Sequence, residues 1–243
     1  MNRLDQALVA AGLARSRNQA AQLIRQGRVR VDGVPVTKPA LPVTEETSLA
    51  VDDEGWVSRA AHKLLGALTE LSVSVPARVL DAGSSTGGFT QVLLRNGATR
   101  VYAVDVGTDQ LAPELRSDPR VVVHEQTNLR DLTLDHVDGR PVDLVVSDVS
   151  FISLTLLLEP MLGVLDEHGE ALLMVKPQFE VGRELLGKGG VVRDPAHRAQ
   201  AVTRVTDAAA ALGWTCIATV ESTLPGPAGN VETFIHLRRT HLC

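Results

Sequence analysis

The residues with the clearest chemical potential start at a glycine turn, Leu80-Asp81-Ala82-Gly83-Ser84-Ser85-Thr86-Gly87-Gly88-Phe89-Thr90. Ala77-Arg78-Val79-Leu80 ahead of it reads as a short buried strand, and Gln91-Val92-Leu93-Leu94 behind it opens an apolar helical face. Gly83 lets the chain reverse, Gly87 and Gly88 let backbone approach a bound molecule, and the helix start offers unpaired N–H groups to a polar or negative ligand end. Spacing narrows the ligand. Ser85 occupies the place of the second glycine in a dinucleotide fingerprint, and Gly88 is followed by Phe89-Thr90 with no P-loop lysine. A dinucleotide is therefore the weaker reading, and a triphosphate is disfavoured. Asp105 ends the next strand, Val101-Tyr102-Ala103-Val104, where a carboxylate accepts both hydroxyls of a ribose.

A second set of residues falls at similar places. Asp148 closes the run Val145-Val146-Ser147-Asp148, Lys176 closes Leu173-Met174-Val175-Lys176, Glu232 opens the run into the last strand, and Lys63 lies on the helix before the glycine turn. Ligands of parallel sheets bind at the carboxyl ends of strands, so two lysines and two acids can converge on one pocket. Each taken alone also suits a surface salt bridge.

The elements that must position these groups alternate strand and helix from residue 75 onward, the pattern of a parallel sheet covered on both faces. Strands are expected at Arg78–Leu80, Arg100–Val104, Val121–Val123, Asp143–Ser147 and Ala171–Val175, then Thr215–Val220 and Val231–Leu237. Helices are expected at Asp109–Arg116, at a short turn over Leu129–Leu132, and at Ile152–Leu165 despite Pro160. A longer helix should begin at Pro195, after Asp194, and stop at Gly213. Ala60, Leu64, Leu65 and Leu68 give one more helical period ahead of the turn.

The 243 residues carry a net charge of −5, but residues 1–40 hold seven Lys or Arg against two Asp, so a basic head joins an acidic body. In that head Leu4, Leu8 and Ala11 fall on one helical face ended by Gly12, and Ser16 is placed to cap a second helix carrying Ala20, Leu23 and Ile24, stopped by Gly27. Val29 to Val36 reads as a hairpin turning at Asp32-Gly33. The acidic stretch Val51-Asp52-Asp53-Glu54-Gly55 places the domain join near residue 55; Trp56 beside it suits packing of the modules or an RNA contact. No apolar run approaches the ~18–20 residues of a membrane span and no signal-peptide core opens the chain, which gives the expectation of a soluble, cytoplasmic protein without membrane partners. Cys216 and Cys243 make no framework, and the seven histidines are scattered, so neither disulfide nor metal chemistry is expected. Oligomeric state and protein partners leave no trace in the sequence.

The turn Asp81-x-Gly-x-x-x-Gly resembles the first motif of S-adenosylmethionine (SAM) dependent methyltransferases. The stretch from Arg3-Leu4-Asp5 through Ser16-Arg17 and Leu23-Ile24-Arg25-Gln26-Gly27-Arg28-Val29 to Lys38-Pro39 resembles an S4 RNA-binding domain. Lys63, Asp148, Lys176 and Glu232 match, in order and local motif, the Lys-Asp-Lys-Glu tetrad of FtsJ-like RNA 2'-O-methyltransferases. With Ser58-Arg59-x-x-His62-Lys63-Leu64, Val175-Lys176-Pro177-Gln178-Phe179-Glu180 and Pro225-Gly226-Pro227-x-Gly229-Asn230-x-Glu232, the chain resembles nearly end to end the TlyA (hemolysin A) family of ribosomal RNA cytidine 2'-O-methyltransferases. The departure falls in the linker, where Asp53-Glu54-Gly55 precedes Trp56-Val57 and the arginine expected from the family is missing.

The resemblance implies an α/β, Rossmann-like methyltransferase sheet, parallel with an antiparallel last strand, over residues 56–243, and a small α+β S4 domain with linker over residues 1–55. It implies Lys63, Asp148, Lys176 and Glu232 as catalytic groups, and SAM held by Asp81, Gly83, Ser84, Ser85, Thr86, Gly87, Gly88, Asp105 and Asn128. Asn128 serves equally as a helix cap. Arg3, Arg15, Arg17, Arg25, Arg28, Arg30 and Lys38 are the implied contacts to ribosomal RNA or ribosomal subunits. A ribose 2'-hydroxyl must shed a proton as it attacks a sulfonium methyl, so the site needs a positioned base. Neutral Lys176 fills that role if burial and Lys63 favour the free amine; a charged Lys176 steadying the alkoxide is the other option. Gly187-Lys188-Gly189-Gly190-Val191-Val192-Arg193-Asp194 lacks P-loop spacing and is expected to be a mobile loop that orders on RNA. The alternative function is a non-catalytic RNA-binding protein with the sheet as a SAM sensor.

Overall fold

A computed structural model describes residues 2–14, 16–25, 27–44, 46–51 and 55–240. The chain divides into two compact units, Met1–Trp56 and Val57–Cys243.

In the first unit, β1 (Asn2–Arg3) and α1 (Leu4–Ala10) lead to α2 (Arg17–Arg25), and four short strands follow: β2 (Val29–Val31), β3 (Val34–Val36), β4 (Pro42–Val43) and β5 (Leu49–Val51). Leu4 and Leu8 of α1 and Ala20 and Ile24 of α2 meet Val29 and Val43 in one small core. The N–H of Gln19 donates to Ser16 Oγ at 3.3 Å, the cap expected from sequence. Ala11, expected on the buried face, is instead the exposed residue that closes α1, because the helix has ended by Ala10. Asp32 and Gly33 both adopt positive φ between the paired Val31 and Val34, so β2 and β3 form the tight hairpin that such a dipeptide favours. β5 adds to the other edge of β2.

The second unit carries α3 (Ala60–Glu70), β6 (Arg78–Ala82), α4 (Gly88–Arg95), β7 (Arg100–Val104), α5 (Pro113–Arg116), β8 (Val121–His124), β9 (Val142–Ser147), α6 (Leu158–Gly163), β10 (Leu165–Val175), α7 (Pro177–Glu180), α8 (Pro195–Ala211), β11 (Trp214–Glu221) and β12 (Thr233–Arg239). Its sheet runs β11-β12-β10-β9-β6-β7-β8. Neighbours from β10 through β9, β6 and β7 to β8 are parallel, while β12 is antiparallel to both β10 and β11. The last strand is therefore inserted next to the edge, with β11 outside it. From β6 the sheet grows through β7 and β8 in one direction and through β9 and β10 in the other. The crevice beyond the carboxyl ends of β6 and β9 is thus the switch point where such sheets bind ligands. Leu80, Tyr102, Val145, Leu173 and Ile235, one from each of five strands, are fully buried in the core.

Two expected helices come out differently, and the short turn expected at Leu129 is present. Only Pro113–Arg116 of Asp109–Arg116 is helical, because Asp109 adopts a positive φ and Ala112, just before Pro113, is extended; the N–H groups of Asp109, Gln110 and Leu111 donate to the Glu125 carboxylate. The turn at Leu129 is a 3-10 turn over Leu129–Asp131. The segment from Ile152 splits into a 3-10 turn, Leu154–Leu156, and α6, with Leu165 already in a strand. Ser153 caps the first piece, and Pro160 sits in the first turn of the second, where no N–H is needed. α8 behaves as expected: Asp194 accepts from the N–H of Ala196, Pro195 is the first helical residue, and Gly213 follows the helix in the left-handed region.

Candidate active site

The glycine turn runs from the carboxyl end of β6 into α4. Gly83 and Gly87 adopt φ of +86° and +95°, and Ser85 φ of +47°. A Cβ at Gly83 would press on the Asp148 carbonyl at 3.3 Å and on Val149, while one at Gly87 would collide with Leu111 and Leu115. Gly83, Ser84, Ser85, Thr86 and Gly88 line a cavity of about 680 Å³. Gly87, expected among the ligand contacts, faces those two leucines instead, because its left-handed backbone turns it onto the loop before α5.

Asp81 lies beneath the turn rather than in the cavity wall and is completely buried. Its Oδ2 accepts from Thr90 Oγ1 on α4 at 2.6 Å, which ties strand to helix; its Oδ1 is buried with no hydrogen-bond partner. Burial pushes the Asp81 carboxyl up to about 7, against the opposing Thr90 bonds and with the negative Asp148 and Asp105 adding to the rise.

Asp105 follows β7 and faces the cavity. Its carboxylate accepts from the N–H of Ser85 at 2.8 Å and the N–H of Gly107 at 2.7 Å, one on each oxygen. Each oxygen keeps a second lone pair, so two ribose hydroxyls remain acceptable donors. Asn128 lines the cavity and also caps the 3-10 turn through a bond from the N–H of Arg130 at 3.0 Å, so both of its expected roles are geometrically open. Glu125, which sequence reasoning missed, gathers three consecutive backbone N–H groups and Arg116 (2.6 Å) and thereby fixes the loop bearing Gly107 and Gln110. Arg116 and those N–H groups hold its carboxyl down at about 2. Because its partners are mostly backbone, no residue pattern announces it.

On the other side of the crevice the two lysines and two acids form two ion pairs. Lys63, in the first turns of α3, is paired with Glu232 just before β12, and both side chains are almost fully buried. Glu232 is absent from the cavity wall and reaches it only through Lys63; its second oxygen, Oε1, points toward Gly226, where any Cβ would lie 2.6 Å away. Lys176, at the end of β10, places Nζ 2.7 Å from Asp148 Oδ1 at the end of β9 and donates to Ser150 Oγ at 2.6 Å. Lys63, Asp148, Lys176 and Ser150 all line the same cavity as Asp105 and the glycine turn. Ser150 carried no signal in the sequence beyond its nearness to Asp148. Phe151 follows it at φ +66° and is 92% exposed, its ring 5.5 Å from that of Phe179.

The expected mobile loop is tethered. Asn230, 1% exposed, accepts from the N–H of Val192 and donates to the Gly190 carbonyl, and Gly187 and Val191 close the turn.

Of the expected RNA contacts, Arg15 lies outside the described residues. Arg3 makes two bonds to the buried Asp5, and Arg17 approaches the same carboxylate at 3.5 Å. Arg25 closes α2, Arg30 lies within β2 with its guanidinium 3.4 Å from the Gly33 carbonyl, Arg28 precedes β2 and Lys38 follows β3. Among the described residues no cluster of three His, Cys, Asp or Glu could hold a metal ion, and no helix is long and apolar enough to cross a membrane.

A sheet of this order with a glycine turn, a strand-end acid and paired lysines at its switch point defines an S-adenosylmethionine-type methyltransferase fold. Residues 56–239 match the FtsJ-like methyltransferase family and residues 2–49 the S4 domain. The 16S/23S rRNA (cytidine-2'-O)-methyltransferase TlyA of Mycobacterium tuberculosis is 53% identical, covering 97% of this chain and 89% of that protein. The 23S rRNA (cytidine-2'-O)-methyltransferase TlyA of Campylobacter jejuni is 36% identical over 91% of this chain and 93% of its own length. A solved structure described as a candidate hemolysin from Streptococcus thermophilus superposes with a TM-score of 0.79 at 37% identity, covering 98% of this chain and 88% of that one. The chain belongs to the TlyA (hemolysin A) family, S4-bearing members of the FtsJ-like methyltransferases.

Proposed function

We propose that this protein methylates the ribose 2'-hydroxyl of a cytidine in ribosomal RNA, using SAM. The observation that carries this is the joining, in one cavity, of a ribose-accepting turn with a lysine held between a carboxylate and a hydroxyl. SAM, when bound, supplies a methyl group on a sulfonium. Gly83, Ser84, Ser85, Thr86, Gly88 and Asp105 would hold it, with Asp81 bracing the turn from below. Lys176 lies at the cavity wall, where it would take the proton of the 2'-hydroxyl, and Asp148 would steady the ammonium that forms. Lys63, fixed by Glu232, adds positive charge beside the developing alkoxide. The exposed Phe151 ring at the cavity offers a face for a base, which supports RNA as the substrate.

Residues 1–55 dock structured RNA through their arginines, and residues 56–243 carry the reaction. The names of the two relatives support ribosomal RNA as the target, and their difference, 16S and 23S in one and 23S in the other, leaves the choice of subunit to experiment. The protein is expected to act in the cytoplasm, where ribosomal subunits mature.

Incubation with methyl-tritiated SAM and isolated 30S subunits, 50S subunits or naked rRNA tests this. Label in an alkali-resistant dinucleotide that begins with 2'-O-methylcytidine identifies ribose methylation and names the subunit. Tight SAM and RNA binding with no transfer to any of the three substrates would favour the SAM-sensor alternative instead.

A further inference from the structure

The tetrad leaves one partner of Lys176 without a role. We infer that Ser150 is a positioning residue for Lys176 and that it acts through a closed brace between the segments leaving β9 and β10. The inference rests on the proposed reaction, in which Lys176 takes the proton.

An amine nitrogen has three tetrahedral positions beyond its Cε bond. Ser150 Oγ at 2.6 Å takes one of them as a hydrogen bond, while Asp148 Oδ1, 2.7 Å away, is an ion-pair contact that is not a directed hydrogen bond. That bond is the directed one that fixes how the amine is turned, and Lys176 itself lines the cavity where the ribose oxygen must come. A lysine held by Asp148 alone keeps its charge partner but is free to swing about that single contact. General-base catalysis depends on heavy-atom geometry at the proton, so this freedom lowers the rate without altering what binds.

Ser150 is held in turn. Glu180, at the end of α7 and only 2% exposed, accepts from Ser153 Oγ at 2.6 Å and from the N–H of Leu154 at 2.7 Å. Arg204 of α8 donates to the Glu180 carbonyl at 2.7 Å and anchors that end of α7. Lys176 immediately precedes α7. The path from Lys176 to Ser150, along the chain to Ser153 and Leu154, across to Glu180 and back through α7 to Lys176 is therefore a ring. Burying a carboxylate is costly unless it is hydrogen-bonded, and here the two bonds it receives both come from the loop that carries Ser150. The brace explains why an acid with no place in the chemistry is buried beside it.

The test compares wild type with Ser150→Ala, Ser150→Thr, Ser153→Ala and the Ser150→Ala/Ser153→Ala pair, by single-turnover methyl transfer to the rRNA substrate and by calorimetric SAM binding. The inference predicts that Ser150→Ala lowers kcat about tenfold with KM for RNA and Kd for SAM within about twofold, and that Ser150→Thr, which keeps the hydroxyl, restores most of the rate. Ser153→Ala should cost a few-fold, and the double variant should lose less than the product of the two, as expected for changes acting on one lysine. Ser150→Ala at the wild-type kcat, Ser150→Thr no better than alanine, or kcat and KM failing together would overturn the positioning role while the methyltransferase reading stands. Absence of transfer by the wild type would overturn both.

Discussion

The two walls of the cavity are built in different ways. The wall made by the glycine turn and Asp105 is mostly backbone: positive-φ glycines, two N–H groups on one carboxylate, and a loop hung from Glu125 by three more. The opposite wall is made of side chains brought from α3 and the ends of β9 and β10, with Glu232 behind them, and locked as Lys63–Glu232 and Lys176–Asp148. A backbone wall recognises a cofactor through shape and changes little with protonation. A side-chain wall holds charges in reach of a reacting proton. Binding and chemistry should therefore fail separately when each wall is damaged.

The largest effect should come from breaking the buried pair. Glu232→Ala leaves Lys63 as an uncompensated charge in a nearly water-free site, and urea unfolding should show a loss of about 3–5 kcal/mol. On the backbone wall, Gly83→Ala forces a side chain into the left-handed region against the Asp148 carbonyl. The cost of about 1–2 kcal/mol should appear as SAM affinity weakened roughly tenfold in calorimetry.

Two carboxyls near the backbone wall should give stability opposite pH dependences. Asp81 keeps its proton in the folded state up to about 7 but loses it near 3.8 when unfolded, so its contribution falls as pH rises through that window, and Asp81→Asn should flatten the fall. Glu125, held near 2 against an ordinary 4.5, contributes fully above 4.5 and loses its contribution as pH falls toward 2. Urea midpoints of wild type, Asp81→Asn and Glu125→Gln across this range separate them.

The smallest effect concerns neither wall. Arg25→Ala in the N-terminal unit should weaken rRNA binding a few-fold and reduce the salt dependence by about one phosphate contact, while transfer at saturating RNA is unchanged.

The same contrast governs what the sequence discloses. The backbone wall occupies eleven consecutive residues plus one strand-end acid, and glycines needed for positive φ announce themselves by type and spacing. The side-chain wall joins Lys63 to Glu232 across 169 residues. No local period connects them; their places at strand ends allowed one shared pocket, and resemblance over the whole chain made them a set. Ser150 and Glu125 escaped because a loop serine and an acid bonded to backbone N–H groups match no pattern. The helix expected from Asp109 starts late for a backbone reason, the positive φ of Asp109 and the extended Ala112 ahead of Pro113. The tether from Asn230 to Gly190 was hidden in a motif whose glycines suggested mobility.

The most direct test measures SAM affinity and single-turnover transfer together for Lys176→Ala and Gly83→Ala. The account predicts a crossed pattern: Lys176→Ala binds SAM like wild type and transfers at least about a hundredfold more slowly, while Gly83→Ala binds SAM poorly and recovers its transfer rate when SAM is raised to saturation. Parallel loss of binding and transfer in both variants, or undiminished transfer by Lys176→Ala, would contradict it.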